Sequence, residues 1–282
     1  MHIPVMVAEV LEYLAVRPDG VYIDATAGLG GHTREIARRL TTGVVIANDR
    51  DAESLEMARR NTAEWASHIH YRHGNFSALA ELGLGKVDGV LADLGASRFQ
   101  LTDNQRGFSF LSDGPLDMRM DRSAQTTAED LVNHMAEKAL ADLIYQLGEE
   151  RRARKIARAI VRARPIRSSL HLAGVVERAV PRTGRLHPAT QTFMALRMAV
   201  NEEQKELDSL LELAPEMTAS GGRIVIISFM SLEDRKVKEK FRSLGMENRA
   251  TVLTKHPIVP TDDEIGNNAA SRSAKLRALE MK

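Results

Sequence analysis

The stretch Val21-Tyr22-Ile23-Asp24-Ala25-Thr26-Ala27-Gly28-Leu29-Gly30-Gly31-His32 decides the fold. A short run rich in β-formers enters a glycine-rich turn, and the residues that follow, Thr33 to Leu40, place Ile36, Ala37 and Leu40 on one helical face. Strand, tight turn and helix make the first half of a βαβ unit. The pattern then repeats. Val44-Val45-Ile46-Ala47 reads as a second strand and Ala52 to Asn61 as a second helix, followed by strand signals at Ile69 to Tyr71 and Val87 to Ala92. Strands alternating with helices predict an α/β fold with a parallel, doubly wound sheet.

After Asp93 the alternation stops for more than a hundred residues and resumes at Gly222-Arg223-Ile224-Val225-Ile226-Ile227, a continuous apolar run that reads as a central, doubly covered strand. Upstream of it, His187-Pro188 opens a long predicted helix, with Pro188 suited to a first turn and Phe193, Leu196, Val200, Leu207, Leu210 and Leu211 on its core face. This helix is assigned to the sheet domain. The expected division is therefore a sheet domain over 1–101 and 188–282 and an inserted all-helical domain over 102–187. The basic, Ser-containing segment Ser271 to Arg277 reads as a frayed tail.

A chain of 282 residues with 43% apolar and 27% charged residues has room for two domains and excludes a disordered, collagen-like or coiled-coil chain. The absence of cysteine excludes disulfides, thiolate metal sites and a cysteine nucleophile. Glu9, Glu12, Arg17 and Asp19 interrupt the first twenty residues, and nowhere do 18 apolar residues run together, so a soluble cytoplasmic protein with no membrane partner is expected. The net charge of +1 hides a segregation: Arg151 to His187 holds eleven Lys or Arg against the single acid Glu177, leaving the rest of the chain at −9. Arg151, Arg154, Lys155, Arg158 and Arg162 share one helical face, with Ala153, Ile156, Ala157, Ile160 and Val161 on the other. Such a stripe suits either a polyanion or plain solvent.

Gly28, Gly30 and Gly31 let the backbone turn sharply and approach a ligand after the first strand. Asp49 closes the second strand 21 residues after Gly28, where a carboxylate can accept both hydroxyls of a ribose. A dinucleotide fingerprint would need glycine at Thr33, and the Asp24 carboxylate would repel a diphosphate; the same carboxylate suits a ligand with an ammonium and a sulfonium, so S-adenosylmethionine ranks ahead of NAD(P) and of a purely structural turn. No Gly-Lys-Ser/Thr follows, which removes a Walker loop. Phe76 and Asp93, after the third and fourth strands, feed the same crevice: Phe76 to stack on an adenine or simply pack, Asp93 to hold the ligand's amino group or the acceptor. His68, His70 and His73 do not converge on a strand, and no metal site is expected.

Taken with further motifs, these residues resemble the bacterial 16S ribosomal RNA (cytosine-N4)-methyltransferase H family, also called the MraW family. The resemblance runs through His2-Ile3-Pro4-Val5-Met6, Asp24 to His32, Asp49-Arg50-Asp51, Asp93-Leu94-Gly95, Arg106-Gly107-Phe108-Ser109-Phe110, Asp113 to Asp121, Gly148 to Arg151, Arg158 to Val161, His187-Pro188-Ala189-Thr190, Ser231 to Arg235 and Ser271 to Arg277. It implies a Rossmann-like S-adenosylmethionine-dependent methyltransferase sheet with a helical insertion, acting on the exocyclic N4 of a decoding-centre cytidine in 16S rRNA of the small ribosomal subunit. It further implies cofactor contacts at Gly30, Gly31, His32, Asp49, Phe76, Asp93 and Gln100. Asp93 is then the candidate proton acceptor, and Arg151, Arg154, Arg158 and Arg162 the RNA-phosphate contacts. Met230 stands where the family has histidine, Met194 where it has glutamine, and Arg98 where it has serine, all on the substrate side. A same-fold enzyme with another RNA or protein acceptor and a non-catalytic RNA-binding assembly factor are the alternatives. A homodimer is compatible with all three.

Overall fold

The computed structural model describes residues 4–83, 85–111, 113–182 and 187–282, so His2 and Ile3 of the opening motif and Arg185 of the basic segment lie outside it. In chain order the elements begin with α1 (Val7–Leu14), β1 (Val21–Asp24), α2 (Gly31–Ala37), β2 (Val44–Asp49), α3 (Ala52–Asn61), β3 (Ile69–His73) and β4 (Val87–Asp93). Helices follow: α4 (Arg98–Thr102), α5 (Ala128–His134), α6 (Glu137–Gly148), α7 (Ala153–Ala163), α8 (Ser169–Ala179), α9 (Thr190–Val200) and α10 (Glu203–Met217). The chain closes with β5 (Thr218–Ser228), α11 (Ser231–Met246), β6 (Ala250–Val252), α12 (Asp262–Asn267) and β7 (Lys275–Met281). They form two compact units, one of residues 1–95 with 205–282 and the other of 96–204.

The first unit is a seven-stranded sheet of order β3-β2-β1-β4-β5-β7-β6, parallel from β3 through β5 and antiparallel at β7. Its strands are apolar on both faces because helices cover both. In β5, Ile224 and Ile226 enter the core that holds Leu207 and Phe241, while Val225 and Ile227 enter the opposite one with Leu14 and Ile36. The Asp51 carboxylate starts α3 by accepting the backbone N–H groups of Glu53 and Ser54 at 3.1 and 3.3 Å.

Residues 271–277 are not a frayed tail. From Lys275 the chain pairs with β5 from Ser228 to Arg223, and Leu276, Ala278 and Leu279 are fully buried. The basic residues that suggested solvent are tied inward: the Arg277 guanidinium donates to both Asp234 oxygens at 2.7 and 3.2 Å. Burial alone would raise Asp234, and the two donated bonds outweigh it and hold the carboxyl below its usual range.

The helical unit packs Ile144, Ile156, Ile160, Leu172 and Val176 into its own core, joined by Phe193, Leu196 and Val200 of α9. This corrects the assignment of the Pro188 helix to the sheet domain. The predicted single helix is two, because the Asn201 side chain takes the Arg197 carbonyl at 2.8 Å, donates to the Met118 carbonyl at 2.7 Å and accepts from Met120 N–H at 2.7 Å. Glu202 follows at φ 47°, and the apolar periodicity resumes in α10 with Leu207, Leu210 and Leu211 in the sheet unit's core. The unit boundaries accordingly fall at 95/96 and 204/205 rather than at 101/102 and 187/188.

Leu276 is fully buried in β7 between β5 and the segment at Ile258. Leu276→Ala is expected to lower unfolding free energy by about 2–5 kcal/mol, read from urea denaturation; a solvated tail would show no change.

Candidate functional site

The strand order places β1 beside β4, with β2 and β5 outside them, so the chain departs in opposite directions from these two strands. Open α/β sheets bind ligands at such a switch point, beyond the carboxyl ends of the strands. β1 ends at Asp24, β2 at Asp49 and β4 at Asp93. Three carboxylates therefore gather where a ligand is expected.

Asp24 is fully buried, and each of its oxygens is engaged, one by Thr26 N–H at 3.2 Å and the other by the Thr33 hydroxyl at 2.6 Å. Burial pushes its pKa up, opposed by His32 and these two hydrogen bonds. Its place is that of a loop anchor. Asp49 accepts the Gly28 N–H at 2.7 Å and the Asp51 N–H at 2.8 Å, and burial raises its pKa to about 6. An ionised carboxylate has about four acceptor positions, so the two bonds leave capacity for a diol.

Asp93 is held by its backbone, whose N–H donates to the Thr26 hydroxyl at 2.6 Å. Its Oδ1 is buried without a hydrogen-bond partner, and Oδ2 lies 3.7 Å from His32 Nε2. His32 is buried, neither ring nitrogen makes a hydrogen bond, and although burial opposes the charge, Asp93, Asp24 and Glu35 outweigh it and raise the imidazole pKa. Asn75 presents another buried, unpartnered oxygen, and Phe76 next to it packs partly on the sheet core.

The glycines divide their work. Gly30, at φ 85°, begins α2, and a Cβ there would meet Thr62 Cγ2 at 2.8 Å, so it allows helix packing. Gly28, at φ 52°, has only the Thr26 carbonyl within reach of a Cβ, at 3.9 Å, which leaves that side of the loop open. Gly31 packs on Pro4.

Two residues were missed in the sequence. The Asn48 side-chain amide donates to the Ala25 and Gly74 carbonyls at 3.3 and 3.0 Å, and the Asn48 backbone carbonyl accepts Ala27 N–H at 2.9 Å, lacing three strand ends together. Thr26 links Asp24 to Asp93. A polar residue closing the apolar run Val44 to Ala47 was the available signal for Asn48. Among the described residues no group of His, Asp and Glu is arranged to hold a metal, and no helix is long and apolar enough to cross a membrane.

Asp24, Gly28, Gly30, Gly31, His32, Asp49, Phe76 and Asp93 all belong to the sheet unit. Gln100 belongs to the helical unit, where it closes a reciprocal cap with Ser97 at the start of α4. Arg151, just ahead of α7, and Arg154, Arg158 and Arg162 on it are exposed, while Ala153, Ile156, Ala157 and Ile160 are buried. Arg158 also meets Glu137 at 3.4 Å. Met230 is half-buried at the start of α11, its N–H donating to Glu233 at 3.1 Å.

The family model described as the MraW methylase family matches residues 1–282. The chain is 70% identical to the ribosomal RNA small subunit methyltransferase H of Solibacter usitatus, with 100% of each chain covered. It is 48% identical to the protein of the same name from Koribacter versatilis (100% of this chain and 94% of the relative) and 47% identical to that from Acidobacterium capsulatum (100% and 98%).

If Asp49 holds the ribose hydroxyls it must be ionised to do so; it protonates as pH falls through about 6, so affinity for S-adenosylmethionine is expected to drop about tenfold from pH 7 to pH 5. Calorimetric titration of Asp49→Asn should give weak binding without that pH dependence.

Proposed function

The chain belongs to the MraW methylase family and is an S-adenosylmethionine-dependent methyltransferase of small-subunit ribosomal RNA; we propose that its acceptor is the exocyclic N4 of a decoding-centre cytidine in 16S rRNA, presented by the small ribosomal subunit in the cytoplasm. The observation that carries the site assignment is the set of acceptor groups at the switch point. Asp24, Asp49 and Asp93 end three neighbouring strands, and Asp93 Oδ1 and Asn75 Oδ1 are buried with nothing bonded to them. Carboxylates and bare carbonyl oxygens suit a cationic nucleoside without phosphates, so the residues fit the cofactor.

In this reading Asp49 holds the ribose, Phe76 lies beside the adenine, and the loop from Gly28 to His32 lines the open side. When bound, S-adenosylmethionine supplies an electrophilic methyl group on a sulfonium. The chain's own task is to make cytosine N4 a nucleophile, since its lone pair is delocalised into the ring. Holding N4 in line at near-attack distance supplies the larger share of the rate. In this proposal Asp93 accepts a hydrogen bond from the amino group and then its proton, which localises the lone pair. His32 lies against Asp93 Oδ2, which leaves Oδ1 as the accepting atom in this reading.

The exposed arginines of α7, with Arg151, contact RNA phosphates in this proposal. Lys and Arg that neutralise phosphates release counterions and make binding salt-dependent.

Small subunits from cells lacking the modification, incubated with labelled S-adenosylmethionine and digested to nucleosides, are expected to yield N4-methylcytidine by mass. Another methylated nucleoside would move the acceptor, and unlabelled RNA would overturn the reading. Asp93→Asn should lower transfer about 100-fold or more while cofactor affinity stays within a few-fold; loss of cofactor binding instead would confine Asp93 to the cofactor. Arg154→Glu with Arg162→Glu should weaken subunit binding and flatten the slope of log affinity against log salt by about one for each phosphate no longer neutralised. An unchanged slope would reject the stripe as the RNA-binding face.

A further inference from the structure

The motif Arg106-Gly107-Phe108-Ser109-Phe110 and the motif His187-Pro188-Ala189-Thr190 play no part in the site above, yet the helical unit brings them together. The Phe110 and His187 rings stack with centroids 4.8 Å apart and planes 30° apart, and Phe193 meets Phe110 edge-on at 4.9 Å. We propose that Phe110 and His187 form a stacking platform for an unpaired nucleobase of the RNA acceptor, an inference that rests on the RNA reading above and extends it to the helical unit.

The loop that carries Phe110 is built to hold it still. Arg106 is fully buried and donates to the Arg119 and Met120 carbonyls at 3.1 and 2.9 Å, while its own carbonyl accepts Met118 N–H at 2.9 Å. Gly107 adopts φ 70°, and a Cβ there would stand 2.0 Å from the Pro115 carbonyl oxygen, so no other residue fits. Phe108 and Phe193 are core residues, 6% and 4% exposed. Phe110 is not: it is half-buried, and Leu111 after it is 88% exposed.

His187 is fixed at both edges. Its Nδ1 accepts Ala189 N–H at 3.2 Å, and Nε2 faces Glu177 at 3.8 Å, yet 30% of the side chain remains open. A π-surface held from behind and left partly open is the arrangement that stacks bases at low ordering cost. The charge of the segment that His187 closes selects the occupant. His187 closes the segment with eleven Lys or Arg against one acid, and Arg167, Arg178 and Arg182 of that segment are exposed on the same unit. Nucleic acid combines a flat apolar face with a polyanionic backbone.

The test measures binding of wild type, Phe110→Leu, His187→Leu and His187→Phe to small subunits from cells lacking the modification, across a salt series. Phe110→Leu and His187→Leu are expected to weaken binding about tenfold with the salt slope unchanged, and His187→Phe to stay within about twofold, because stacking needs a π-face and no charge. Thermal midpoint and S-adenosylmethionine affinity should not move; a merely structural pair would lower the midpoint of His187→Leu together with its RNA affinity. Should Phe110→Leu fail to fold, the comparison of Leu with Phe at position 187 decides. Wild-type binding with unchanged affinity in the folded variants would reject the platform alone, whereas no wild-type binding to subunits would reject the RNA reading and the platform with it.

Discussion

The structure of the sheet unit's working end depends on one buried carboxylate. Asp24 has no access to water, and an ion in that position persists only when its oxygens are hydrogen-bonded. The Thr33 hydroxyl supplies one bond and so locks the first turn of α2 onto the end of β1. The Thr26 N–H supplies the other, and the Thr26 hydroxyl in turn accepts the backbone N–H of Asp93. The same few bonds thus set the glycine loop, place His32 one residue before Thr33, and fix the strand end that carries Asp93. The placement of the Asp93 strand end is a consequence of how Asp24 is satisfied.

That arrangement also leaves an electrostatic imbalance with a definite sign. Burial drives both Asp24 and Asp49 upward, and the carboxylates of Asp24, Asp93 and Glu35 together raise His32 against its own desolvation. Negative charge is crowded at the switch point, with the buried His32 imidazole drawn toward it. A ligand bearing positive charge relieves this crowding, and one bearing phosphates aggravates it. The preference for a sulfonium nucleoside over a dinucleotide is therefore a property of the whole strand-end cluster, beyond what any one contact provides.

The strands from β1 to β5 were legible because doubly covered parallel strands are short, continuous apolar runs punctuated by turns, and the ends of those strands revealed Asp24, Asp49 and Asp93. Three features were not. β7 carries Arg277 and follows a Ser-rich stretch, so its local sequence reads as solvated; only the distant Asp234 carboxylate makes burial of the guanidinium tolerable. The break between α9 and α10 falls at Asn201 inside an unbroken apolar periodicity, and its cause is a hydrogen bond to Met118, far away in sequence. Asn48 and Thr26 escaped notice because their roles lie in bonds to backbone groups of other strand ends, which no periodicity records. Local chemistry was readable, and partners supplied by the fold were not.

A net charge of +1 is the sum of two segregated charge distributions of opposite sign. The sheet unit concentrates acids at the strand ends, while the helical unit exposes arginines along α7 and beyond it. The two signs of charge are thus carried by separately packed units of one chain. Each unit has a core of its own. The Asn201 break keeps the assignment of residues to units sharp: α9 packs Phe193, Leu196 and Val200 into the helical core, and α10 packs Leu207, Leu210 and Leu211 into the sheet core. The segregation of charge that composition conceals is thus written into the same packing that divides the fold.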